Sequence, residues 1–286
     1  MTITLVSPDY VQLHIMSDPR YLFLDARPAA CYLAGHLPGA IWVGWESWCE
    51  AAPVPSDHPL AQAGYWGILN KEDETGFLQN ALEQIGVSND RPVLVYADGP
   101  LSKGREGRIA WMLLYWGLSD VYLLDGGWTA WLKQGGSGDT STALPLHGQF
   151  HIHAQEHRRV YLRQLKQDFQ RQSMPLLVDT RSRAEFLGLG NTYQPRMGRL
   201  PQAIHLPNTE LFENTGYFVT KEVYLQRLPE KIRSAEYCVA YCEVGVRSCL
   251  FALLHEVYTG QIVSNYDGSI MEWALEWSLP MERGDA

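Results

Sequence analysis

The sequence predicts an α/β protein made of two similar halves, each a mainly parallel sheet flanked by helices. Three observations carry that expectation. An internal repeat spans most of the 286 residues, short β-rich apolar runs alternate with helix-length amphipathic segments, and a Gly/Ser/Thr/Pro-rich stretch separates the two copies. With 46% hydrophobic and 19% charged residues the chain is long and apolar enough for two separate cores.

The first copy opens with the apolar run Leu22-Phe23-Leu24, which ends in Asp25-Ala26-Arg27. Tyr32 follows, then Gly35-His36-Leu37-Pro38-Gly39-Ala40 and a second apolar run. The second copy repeats this as Leu176-Leu177-Val178, Asp179-Thr180-Arg181, Phe186 and Gly198-Arg199-Leu200-Pro201-Gln202-Ala203, with nine extra residues before Gly198. Next, Val93-Leu94-Val95-Tyr96-Ala97 breaks into Asp98-Gly99-Pro100, and Cys238-Val239-Ala240-Tyr241 breaks into Cys242-Glu243-Val244-Gly245. This places Asp98 opposite Cys242. An apolar helical stretch comes next in each copy (109–117 and 248–260), then Asp125-Gly126-Gly127-Trp128 or Asp267-Gly268-Ser269. Amphipathic spacing predicts further helices over 76–85 and 161–170. The expected organisation is a domain over 1–138, a linker over 139–156 and a second domain over 157–286, with ligand sites at the carboxyl ends of strands.

A net charge of −9 and a pI near 5.5 argue against partners bound through phosphate neutralisation, so neither nucleic acid nor an anionic membrane is expected. The N-terminus shows no basic region followed by an apolar stretch, and no apolar run reaches a membrane span. Five cysteines are too few, and odd in number, for a disulfide scaffold, which points to a reducing, cytoplasmic setting.

The segment Cys242-Glu243-Val244-Gly245-Val246-Arg247-Ser248 carries the most chemistry. It joins an apolar strand to a helix, where backbone N–H groups and the helix N-terminus favour an anion. A cysteine there is expected to ionise, Gly245 permits a tight turn, and Arg247 can grip an anionic substrate. Glu243 beside the thiol opposes both effects. The plain alternative makes Cys242 a small buried hydrophobe at a strand end. Arg183 is the candidate for a further substrate contact, and Arg181 the structural partner of Asp179 or Glu185. Arg196 and Arg199 fall on the inserted loop and are expected to be exposed. Cys249, seven residues after Cys242, is either a resolving thiol or core packing. His147, His151, His153 and His157 lack the spacing of a metal site.

In this order, the repeated motifs resemble the tandem-domain rhodaneses, the thiosulfate and 3-mercaptopyruvate sulfurtransferases. The likeness rests on Asp25 to Arg27 with Gly35 to Ala40, Asp125 to Trp128, Asp179 to Arg181, Cys242 to Arg247 and Tyr266 to Ser269. It implies two tandem rhodanese-like domains, the first silent, with Asp98 at the cysteine position, and the second catalytic. Cys242 would take sulfane sulfur from a small-molecule donor as a persulfide and pass it to cyanide or a thiol. Neither a metal nor an organic cofactor is needed, and the protein is expected to be a monomer. The six-residue span from Cys242 to Arg247 is the form associated with sulfur, whereas the related phosphatases use a loop one residue longer. Two features depart from the tandem enzymes: Glu185 stands where they usually carry a donor-binding arginine, and the loop reads C-E-V-G-V-R, closer to single-domain rhodaneses. Two alternatives therefore stay open, a relay between sulfur-carrying proteins and a non-catalytic rhodanese-like binding module.

Overall fold

A computed structural model of the chain describes residues 2–50, 67–68, 76–190 and 194–284. The first half contains β1 (Thr2–Val6), β2 (Leu22–Asp25), β3 (Ile41–Trp42), β4 (Cys49–Glu50), β5 (Gly67–Ile68), β6 (Val93–Tyr96) and β7 (Asp120–Leu124). The second contains β8 (Arg159–Val160), β9 (Leu176–Asp179), β10 (Ile204–His205), β11 (Cys238–Tyr241) and β12 (Ser264–Tyr266). One sheet has the order β1-β7-β6-β2-β3 and the other β8-β12-β11-β9-β10, every pairing parallel. The repeat in sequence is therefore also a repeat of topology. Strands β2, β6 and β11 are buried at every position. Burial on both faces is what helices on either side of a parallel sheet impose, and it explains why these runs show no polar alternation.

Among the described residues, the α-helices of four residues or more are α1 (Ala29–Ala34), α2 (Phe77–Gln84), α3 (Arg105–Tyr115), α4 (Gly127–Lys133), α5 (Leu162–Gln170), α6 (Arg183–Leu187), α7 (Lys221–Arg227), α8 (Glu230–Arg233), α9 (Val246–Thr259) and α10 (Ser269–Leu275). Helix α3 begins four residues before the apolar stretch expected at Ile109. Its first turn is polar yet buried, with Glu106 at 2% and Arg108 at 0% exposure. Among the described residues no helix is long and apolar enough to cross a membrane.

Each Asp-x-Arg motif builds the same corner at the carboxyl end of a central strand. Arg27 pairs with Asp25 at 2.6 Å and donates to the Gly35 carbonyl at 2.6 Å; Arg181 pairs with Asp179 at 2.6 Å and donates to the Gly198 carbonyl at 2.8 Å. Tyr96 donates its hydroxyl proton to Asp25 and accepts from Leu37 N–H at 3.1 Å, while Tyr241 binds Asp179 and accepts from Leu200 N–H at 3.1 Å. Both ion pairs are buried, and their fixed two-point geometry offsets part of the desolvation of two charges, with Arg181 Nη1 left without a hydrogen-bond partner among the described residues.

These corners correct the alignment of the two copies. Tyr96 lies in register with Asp25, and Tyr241 with Asp179. The Ala97 carbonyl accepts from Trp128 N–H at 2.8 Å as the Cys242 carbonyl accepts from Ile270 N–H at 3.2 Å. The residue in the place of Cys242 is thus Ala97, and Asp98 matches Glu243. The polar break in the sequence falls one residue later in the first copy, which drew Asp98 into the wrong position.

Of the described residues, one compact unit takes 2–48, 76–155 and 212–218, and the other 49–50, 67–68, 156–190, 194–211 and 219–284. The division between the halves falls at Gln155, so the stretch expected as a linker from residue 139 is largely part of the first unit. There, Gly148 N–H bonds to the Glu83 carbonyl at 2.7 Å, His153 N–H to Trp116 at 2.8 Å and Gln155 N–H to Tyr115 at 2.7 Å. In the same unit Phe218 N–H bonds to an Asp125 carboxylate oxygen at 2.8 Å, and the Gly216 carbonyl sits where a Cβ on Gly99 would meet it at 2.8 Å. In the second unit β4 and β5 form an antiparallel ribbon, and a Cβ on Gly67 would lie 3.1 Å from both Arg159 and Asp267.

The insertion before Gly198 does not hang free as expected. Arg196 donates to the carbonyls of Trp273, Ala274, Glu276 and Leu279 at 2.7–2.9 Å, which satisfies the C-terminal end of α10 and the turn after it. Arg199 is buried, donates to the Gly284 carbonyl at 2.8 Å and pairs with Glu282 at 3.5 Å. Carbonyl acceptors supplied from the far end of the chain, invisible in local sequence, turn both arginines inward.

Candidate active site

Strand β11 lies between β9 and β12, so its carboxyl end is walled on both sides, and Cys242 is the first residue beyond it. The chain then turns within three residues. Gly245 makes this possible with φ 81°, ψ 3°, a left-handed conformation that a side chain would strain, and it caps the fourteen-residue helix α9. The sulfur consequently sits by the N-terminus of a long helix, where the positive end of the helix dipole stabilises negative charge.

Cys242 is 1% exposed. Its N–H donates to Ser269 Oγ at 3.2 Å, and the Ser269 hydroxyl donates to the Tyr266 carbonyl at 2.8 Å. Ser248 Oγ donates to Cys242 Sγ at 3.6 Å. The Glu243 carbonyl accepts from Met271 N–H at 3.2 Å, so the loop is tied to the first turn of α10. Ser269 holds φ 55°, unusual for a residue with a side chain. The strain goes with the position of its hydroxyl, which reaches the cysteine backbone. At the matching place in the first unit stands Gly127, where a Cβ would meet the Ala97 carbonyl at 1.9 Å.

Arg247 lies at the second position of α9. Its two terminal nitrogens meet the two carboxylate oxygens of Glu185, each at 2.8 Å, and Glu243 adds a contact at 3.7 Å. Burial pushes the Glu185 carboxyl up, but the Arg247 guanidinium and the Ser182 hydrogen bonds outweigh it and bring the group down to about 2. Burial disfavours the charged Arg247, yet Glu185, the Cys242 sulfur and Glu243 together raise its pKa. Glu185 also builds α6: its Oε2 accepts from Ser182 N–H at 3.0 Å and from Ser182 Oγ at 2.6 Å, as in a capping box.

Cys242, Glu243, Val244, Gly245, Val246, Arg247 and Ser248 thus form one continuous strand-to-helix turn. Arg183 is not part of it. It is exposed and borders a cavity of about 760 Å³ lined also by Leu176, Phe186, His205 and Lys231, with no residue of the cysteine loop in its lining. Arg181 is fully buried against Asp179 and serves the corner. Cys249 is buried and accepts from Asn265 Nδ2 at 3.3 Å; Cys238 is buried too, which pushes its thiol up to about 11. No group of three or more His, Cys, Asp or Glu suited to a metal occurs among the described residues.

Sequence reasoning missed two participants, Glu185 as the partner of Arg247 and Ser269 as the acceptor of the Cys242 N–H. For Ser269 a signal existed, since it falls one residue after the repeated Asp-Gly. Glu185 is separated from Arg247 by 62 residues, and only its capping role could be read locally.

A model of the rhodanese-like domain matches residues 7–134 and again 161–276. The chain belongs to the rhodanese family. Two curated relatives cover almost all of this tandem rhodanese. A putative thiosulfate sulfurtransferase of Haloferax volcanii is 28% identical, the match covering 98% of this chain and 96% of the relative. A sulfur carrier protein, TtuD, of Thermus thermophilus is 27% identical, with 98% and 97% covered. Among solved structures, SseA from Escherichia coli, described as having the rhodanese fold of the 3-mercaptopyruvate sulfotransferases, superposes with a TM-score of 0.74 at 22% identity, covering 94% of this chain and 99% of SseA. That likeness bears on the fold, and the rhodanese architecture of both halves follows from it together with the two domain matches.

Proposed function

We propose that the protein is a rhodanese-type sulfurtransferase that carries sulfane sulfur on Cys242, moving it from a donor such as thiosulfate or 3-mercaptopyruvate to cyanide or a thiol. The observation that carries this reading is the cysteine itself: the first residue after a central strand, at the mouth of a three-residue turn into α9, with the Ser248 hydroxyl on its sulfur. The first domain, with Ala97 in the matching place, has no nucleophile there and serves as scaffold. The protein acts in the cytoplasm as a monomer.

With thiosulfate, the Cys242 thiolate attacks the outer sulfur. A new S–S bond forms, the S–S bond of thiosulfate breaks, and sulfite departs with the electron pair. The persulfide keeps one negative charge, held by the helix terminus and the Ser248 hydroxyl. Cyanide then attacks the terminal sulfur, thiocyanate leaves, and the thiolate returns. No proton, electron or cofactor is left over.

Intact-protein mass spectrometry tests the reading, on wild type and Cys242→Ser, after brief incubation with each donor and then with cyanide. The expected result is the gain of one sulfur atom by wild type alone, reversed by cyanide. Failure of both donors to load wild type removes the small-molecule reading. The two carboxylates around Arg247 and the sulfur-carrier relative favour a second one, a relay in which other proteins supply and accept the sulfur.

A further inference from the structure

Resting on the sulfur-transfer reading above, the geometry points to Glu185 as the residue that sets the donor class. By filling both arms of the Arg247 fork, Glu185 turns the site away from doubly charged inorganic donors such as thiosulfate and toward singly charged organic ones such as a mercapto acid. Within that reading, Glu185 is a specificity-determining residue acting through Arg247.

A guanidinium offers a planar fork that matches one carboxylate or one oxyanion at a time. Here both arms are taken, at 2.8 Å each, by a carboxylate of the same unit. The occupant is itself anchored, since its Oε2 also accepts from the N–H and the hydroxyl of Ser182. The internal carboxylate therefore stands where the oxyanion of a donor would otherwise bind. Glu243 adds a second negative charge at 3.7 Å from Arg247. Arg181, another cation near Glu185, is already neutralised by Asp179 at 2.6 Å. Two carboxylates against one guanidinium leave the Arg247–Glu185–Glu243 cluster with an excess of negative charge before the thiolate is counted, and the helix terminus returns only about half a charge. The repulsion felt by a dianion is about double that felt by a monoanion at the same distance.

The test compares the full chain with Glu185→Gln and Glu185→Asp in steady state, with thiosulfate and with 3-mercaptopyruvate, cyanide being the acceptor in both cases. Glutamine removes the charge but can still accept in the capping box, so α6 keeps its start. Glu185→Gln is expected to lower KM for thiosulfate about tenfold and KM for 3-mercaptopyruvate about threefold or less, with kcat within about twofold. Added salt should erode the gain for thiosulfate first. Glu185→Asp keeps the charge and the wild-type ratio of the two KM values. A purely structural role for Glu185 would lower the melting temperature and change both donors alike, and that outcome overturns the inference. If Glu185→Gln does not fold, Glu243→Gln removes a charge from the same guanidinium without touching the cap, and a thiosulfate KM that does not fall there overturns it equally. Persulfide formation with unshifted KM values rejects this inference alone, whereas no loading of any chain by either donor rejects sulfur transfer and the inference with it.

Discussion

The two strand-to-helix junctions, Ala97 to Gly104 and Cys242 to Gly245, are built on one plan and carry opposite chemistry. Both follow a tyrosine that is hydrogen-bonded to the aspartate of an Asp-x-Arg corner, and both end on a left-handed glycine that caps a helix. In the second unit the turn takes three residues and brings together a thiol and Arg247. In the first it is four residues longer, alanine replaces the cysteine, and Glu106 takes the second helical position that Arg247 holds in α9. Burial raises the Glu106 carboxyl to about 7 even though Ser102 donates to it, and raises Asp125 to about 6 against the pull of Phe218 N–H. One junction sets a thiol beside a guanidinium, and the other keeps carboxyls whose charged form burial disfavours. The shared corner is the scaffold, and chemistry changes at a few positions on top of it.

The sharpest way to test this contrast is to move the nucleophile. Cys242→Ser is expected to reduce sulfur transfer at least about a thousandfold, measured as thiocyanate release. Adding Ala97→Cys to that variant should not restore it: the longer turn and the nearby carboxylates disfavour a thiolate, and loading should stay below about a hundredth of wild type in the mass spectrum. Efficient loading at residue 97 would show that the scaffold alone suffices, and the contrast would collapse.

Next in size is the corner, where the two units should behave alike. Arg27→Met and Arg181→Met each strand a buried aspartate and should cost about 3–5 kcal/mol in chemical denaturation. A large cost in one unit and little in the other would break the equivalence.

Glu106 gives a pH signature. Its folded value of about 7 lies above the ordinary 4.5, so the stability it contributes is present in full below about pH 4.5 and is lost as pH rises through 7. Glu106→Gln should therefore flatten the fall in stability between pH 5 and 8, a difference on the order of 3 kcal/mol. An unchanged slope in pH-dependent melts would place the titration elsewhere. The smallest expected effect is Arg196→Ala, about 1–3 kcal/mol, because four carbonyls at the end of α10 and in the turn after it then lose a donor and turn to water.

Much of this was readable from the chain. The apolar runs, the repeated Asp-x-Arg and the position of Cys242 before a helix all rest on local pattern, and local pattern was enough for both sheets and for the strand-to-helix turn that carries Cys242. What escaped depends on contacts distant in sequence. Arg183 drew attention as an unassigned cation, whereas Glu185, two residues on, is the one that reaches the loop through Arg247. The polarity of the break aligns Asp98 with Cys242, while strand register and the tyrosine hydroxyls decide for Ala97. Arg196 and Arg199 looked like loop residues because their acceptors lie some 80 residues away. A buried glutamate in the first turn of α3 made that helix read as starting late.

The segment 212–218 belongs to the first compact unit, though it is encoded inside the second repeat. During synthesis, that unit lacks a piece when its own repeat is finished. At about 5–20 residues per second, the 60 or so residues between Gln155 and Phe218 hold Asp125 without its Phe218 partner for about 3–12 s. The nascent first half thus waits on the translation of its twin, and a gene cut between the repeats would deliver a first unit without residues 212–218 and without the Phe218 donor to Asp125.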